Sequence, residues 1–87
     1  MNYSTPSGKA ARTIRSILAD RRESVESLAE NTGISLSTLK RRLLLSHPFT
    51  IDELGLIASY FEVSIIDVLT PIGERDGAER LAEETAS

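Results

Sequence analysis

The chain has 87 residues, no cysteine, one histidine (His47) and a formal net charge of −3. That length supports one domain around one core; lacking thiols and a second imidazole, the chain has no disulfide framework, thiol nucleophile, zinc finger or histidine-rich metal site. Apolar residues make up 40% and charged ones 26%, as in an ordinary soluble domain, and no apolar run exceeds three residues, as in Leu43-Leu44-Leu45, against roughly 20 for a membrane span.

Met1 to Pro6 carries neither a charged start nor an apolar stretch, so a cytoplasmic protein without a signal peptide is expected. Thr5-Pro6 offers a capping hydroxyl followed by proline at the first helical position. Ala10, Ala11, Ile14, Ile17 and Leu18 then recur at helical spacing, which predicts helix 1 from about Pro6 to Arg22. Ser24 opens a short helix 2 with an acid in its first turn, and Gly33 stands just past its end. Ser35 caps helix 3, in which Leu36, Leu39 and Leu43 share one face and Lys40-Arg41-Arg42 fall largely on the other. Pro48 breaks the chain, and Thr50 with Glu53 forms a capping box for helix 4, with Ile51, Leu54, Ile57, Ala58 and Phe61 predicted inward. Ser64 and Asp67 start a brief helix 5 that ends before Pro71. No apolar-polar alternation is long enough for a strand. The fold class is therefore all-α, a five-helix bundle over residues 1–72, followed by an acidic tail at 73–87 that composition gives at most a marginal helix.

The net charge conceals a division. Residues 1–47 hold eight Lys/Arg against four acids, a net of +4, whereas residues 48–87 hold two against nine, a net of −7. A basic working half joined to an acidic half points to a polyanion as partner of the first, and chance clustering on solvated helix faces is the alternative.

Helix 2, the turn at Gly33 and helix 3 form a bihelical unit, with small Ala29 at the close approach and Ile34, Leu39 and Leu43 behind, which is helix-turn-helix geometry. Leu28-Ala29-Glu30-Asn31-Thr32-Gly33-Ile34-Ser35-Leu36-Ser37-Thr38-Leu39 resembles the Cro/phage-repressor helix-turn-helix family, with a lambda-repressor-like fold. The likeness continues through Pro48-Phe49-Thr50-Ile51-Asp52-Glu53-Leu54, Ile57-Ala58 and Val63-Ser64, covering roughly residues 10–70. Three positions depart from the family pattern. Val25 stands where a phosphate-holding glutamine is common. Leu43 replaces a glutamate that pairs with an arginine of helix 1, and Leu18 at the arginine position would make the pair apolar. The glycine that closes helix 3 is missing, so helix 3 is expected to run on towards Ser46.

The resemblance implies that helix 3 enters the major groove of duplex DNA. Ser37, Lys40 and Arg41 share an outward arc with Leu44. Arg41 suits guanine, Lys40 guanine or phosphate, and Leu36 at the edge a thymine methyl, so the expected base contacts are Leu36, Ser37, Lys40 and Arg41. Ser24, Ser35 and Thr38 near helix N-termini, and Arg42 with its stem over the core, are the expected phosphate contacts, with helix capping as the other role of the hydroxyls. His47 is expected on a surface loop. No catalytic residue, metal, cofactor or small-molecule ligand is expected. The partner is an operator in double-stranded DNA, bound by a small transcriptional regulator, either as a weak homodimer through Ile65, Ile66 and Ile72 around helix 5, with the acidic tail turned away from the phosphates, or as a monomer. A protein-interaction module on the same fold, such as an antitoxin or anti-regulator, is the alternative function.

Overall fold

The computed structural model describes residues 5–70. They form five α-helices and no strand: α1 (Pro6–Arg21), α2 (Val25–Thr32), α3 (Leu36–Leu43), α4 (Ile51–Phe61) and α5 (Ile65–Leu69). The all-α class and the order of elements are those expected. The tail at 73–87, where at most a marginal helix is expected, and Ile72 lie outside the described residues.

Every helix starts at a hydroxyl residue. Thr5, Ser24, Ser35, Thr50 and Ser64 each accept a hydrogen bond from the amide three residues on, at 3.0–3.2 Å, which satisfies one of the donors a helix start leaves open. At α4 and α5 the acid on that third residue returns the bond, so both predicted capping boxes are formed.

Helix ends use left-handed residues, and only one of them is glycine. Gly33 (φ 77°) closes α2, whereas Arg22 (φ 53°), Leu45 (φ 62°) and Glu62 (φ 61°) stand past α1, α3 and α4. Beyond each of these three the next amide reaches back to a carbonyl five residues earlier: Glu23 to Leu18 at 2.9 Å, Ser46 to Arg41 at 3.0 Å and Val63 to Ala58 at 3.0 Å. This closure corrects the expectation that helix 3 runs on: α3 ends at Leu43, because Leu45 takes the left-handed turn that glycine usually supplies.

One fully buried large side chain or more comes from each helix: Ile14 from α1, Leu28 from α2, Leu39 from α3, Ile57 and Phe61 from α4, Val68 from α5. Burying each is worth about 1.5–3 kcal/mol. Ile51 is a correction, since it is 71% exposed rather than inward. The stripe of α4 that faces the core is Leu54, Ile57, Ala58 and Phe61, and one turn earlier the helix has only begun.

α1 packs against α3 and α5, α2 against α3 and α4, and α4 against α5. Three polar ties fix α1 along its length. Ser7 Oγ accepts from the Phe49 amide (2.9 Å), Arg15 donates to the Leu43 carbonyl (2.9 Å), and Arg21 donates to the Phe61 carbonyl (2.7 Å). The Arg21 guanidinium also lies 4.9 Å from the centre of the Phe61 ring, a cation-π contact. Arg15 and Arg21 thus meet the negative C-terminal ends of α3 and α4, which have carbonyls to spare.

Candidate nucleic-acid interface

The angle between α2 and α3 is set at the Thr32-Gly33-Ile34 turn. Thr32 is buried, and its hydroxyl donates to the Leu28 carbonyl at 2.7 Å while receiving the Ile34 amide at 3.4 Å. Gly33 supplies the left-handed residue, its amide bonded to the Ala29 carbonyl at 3.0 Å. Ala29 and Ile34 are both buried on either side of the turn.

α3 emerges with Leu39 and Leu43 buried and Leu36 half-buried against the core. That anchoring turns Ser37, Lys40 and Arg41 outward, all exposed, with Leu44 beyond them at 69% exposure. Neither Lys40 nor Arg41 has an acidic partner among the described residues.

Arg42 differs from its two basic neighbours. It is half-buried, and its Nε and Nη2 donate to the two carboxylate oxygens of Glu53 at 2.9 and 3.2 Å. Glu53 also receives the Thr50 amide at 2.9 Å, so one carboxylate caps α4 and holds α3. Burial alone would raise the Glu53 carboxyl, but the bonds from Arg42 and the Thr50 backbone and the guanidinium charge outweigh it and leave it below its usual 4.5.

Of the remaining expected site residues, Ser24 and Ser35 are helix caps and Thr38 is the third residue of α3, its amide bonded to the Ser35 hydroxyl. Ser24 and Ser35 are exposed at the N-termini of α2 and α3, and Ser35 Oγ also donates to Thr38 Oγ1 at 2.8 Å. His47 is exposed in the loop before α4.

Two residues that sequence reasoning did not assign to the site belong to its surroundings. Arg15 and Val25 join Lys40, Leu43 and Leu44 around an open groove of about 260 Å³ where α1, α2 and α3 meet. The spacing of Arg12 and Arg15 on the polar face of α1 was the available signal for the first. Leu18 and Leu43 are both buried in the one core, and Arg15 adds a bond from α1 to the Leu43 carbonyl at the end of α3.

A short helix, a left-handed glycine turn and a second helix with a basic outer face define a DNA-binding helix-turn-helix protein. The chain belongs to the Cro/C1-type HTH DNA-binding domain family, whose model matches residues 13–74. Neither a curated protein nor a solved structure matches it significantly. Among the described residues no helix is long and apolar enough to cross a membrane, and no cluster of three or more His, Asp or Glu could hold a metal ion.

Proposed function

We propose that this protein is a sequence-specific transcriptional regulator that binds an operator in duplex DNA with α3 in the major groove. Arg41 and Lys40 read guanine edges, Ser37 and the half-buried Leu36 contribute smaller contacts, and Leu36 meets a thymine methyl. Ser24, Ser35 and Thr38 sit on the phosphate backbone beside the positive ends of α2 and α3. Arg42 reaches phosphate only with the edge of its guanidinium that Glu53 leaves, and with its charge offset. The observation that supports this reading is the division within the basic triplet: Arg42 is committed to Glu53, while Lys40 and Arg41 on the exposed arc are without an acidic partner among the described residues.

A half-site spacing of one helical turn would match a weak homodimer through the α5 region, where Ile66 is 74% exposed. Selection of bound sequences from a random duplex pool tests the function. A recurrent guanine-containing motif is expected, with binding that falls steeply as salt rises. Indifference to every duplex, together with stable co-purification of another protein, would replace this reading with an interaction module.

A further inference from the structure

The groove between α1, α2 and α3 has an unusual chemistry for a surface meant for polyanions. Val25, Leu43 and Leu44 line it with hydrocarbon, and among the described residues Arg15 from α1 and Lys40 from α3 supply its charges. At about 260 Å³ it is smaller than the roughly 300–1,000 Å³ of a small-molecule site. It suits one apolar side chain with acidic neighbours.

The chain carries such a segment. Between Glu74 and Glu84 there are five acids against Arg75 and Arg80, a net of 2 − 5 = −3, and Leu81 is the single large apolar residue, with Glu79, Glu83 and Glu84 within three positions of it. Leu81 stands eleven positions beyond Thr70 at the end of α5. Extended, they reach about 36 Å, and a compact globule of 66 residues is roughly 28 Å across, so the groove lies within reach.

We infer that in the free protein the acidic C-terminal segment docks on its own domain, with Leu81 in the groove beside Leu44 and its carboxylates against Arg15 and Lys40. Duplex DNA then has to displace it, since Lys40 cannot serve both polyanions. The segment leaves the site on binding, which is consistent with a tail turned away from the phosphates in the complex. The regulatory consequence rests on the DNA-reading function proposed above; the docking itself does not.

The test uses the full chain and Leu81→Ser, which alters no charge. Methyl NMR of the free protein should show shifts in Leu81→Ser concentrated at Val25, Leu43 and Leu44, with the groove methyls of the parent unchanged across a wide range of protein concentration, whatever signals of α5 do. DNA affinity of the variant should rise about three- to tenfold, the factor expected if the docked form is two-thirds to nine-tenths of the population. Unmoved groove methyls would overturn the docking, and shifts of the groove methyls that grow with concentration would overturn its intramolecular form. Moved methyls with unchanged DNA affinity would overturn the competition. If neither protein binds any duplex, the DNA-reading function fails while the methyl shifts still decide the docking.

Discussion

Arg42 clasps Glu53 through two N–H groups, one to each carboxylate oxygen, and Glu53 uses the same carboxylate to cap α4. Three basic residues in succession therefore have two fates. The middle and first, Arg41 and Lys40, face outward, and the last is a strut between α3 and α4.

Breaking that strut should cost stability. Arg42→Ala and Glu53→Gln are each expected to destabilise the domain by about 1 kcal/mol at neutral pH, because the pair is partly shielded from water yet retains some solvent screening. Their double mutant should cost less than the sum in denaturant unfolding. Strict additivity would show that the pair contributes nothing.

The same pair gives a pH dependence. The folded protein holds the Glu53 carboxyl below its ordinary value of 4.5, so its contribution is present above that value and is lost as pH falls through the lowered folded-state value. Glu53→Gln should flatten this part of the acid limb in thermal melts at a series of pH values. An acid limb identical to wild type would remove Glu53 as a source.

Arg41 and Arg42 should separate in DNA binding. Arg41→Ala is expected to cost on the order of 1–3 kcal/mol at the preferred site and to relax choice at one base pair. Arg42→Ala should weaken preferred and random duplexes alike and reduce the salt slope by less than the roughly one unit of an unpaired cation. A changed base preference in Arg42→Ala would put that residue in the groove.

Glycine replacements should run in opposite directions at two positions. Gly55 lies inside α4, and an added Cβ would meet only Ile65 Cδ1 at an ordinary 3.9 Å, so Gly55→Ala should stabilise by about 0.5–1 kcal/mol. Gly33 has open space but φ 77°, so Gly33→Ala should destabilise by about 1–2 kcal/mol through the backbone alone. Conversely, Glu62→Gly at φ 61° should relieve a comparable strain, offset in part by the greater entropy of the unfolded chain. Melting temperatures that fall for Gly55→Ala would mean α4 is more tightly packed there than its surroundings indicate.

Local chemistry was legible in the sequence wherever cause and effect lie within one turn. The five hydroxyl caps, the two capping boxes and the Gly33 turn were placed from residue types alone, because a cap is a bond between neighbours. The end of α3 was not, since a leucine at φ 62° announces nothing and depends on what surrounds it. Ile51 was misplaced because periodicity assigns a face without saying where the core stops. The partner of Arg42 lies 11 residues away across a loop and that of Arg15 is a carbonyl 28 residues away; neither spacing leaves a trace in a single sequence. The base and phosphate contacts remain proposals, resting on which side chains α3 turns outward.

α1 reaches three separate parts of the molecule through Ser7, Arg15 and Arg21, and none of these bonds involves Ser37, Lys40 or Arg41. The framework bonds thus use other side chains than the outward arc of α3, and exchanging exposed side chains that support nothing typically shifts stability by no more than about 0.5 kcal/mol. On the proposed reading, operator choice lies in three or four surface positions on one short helix, and changing them should alter the sequence bound while the scaffold that presents them stays as it is.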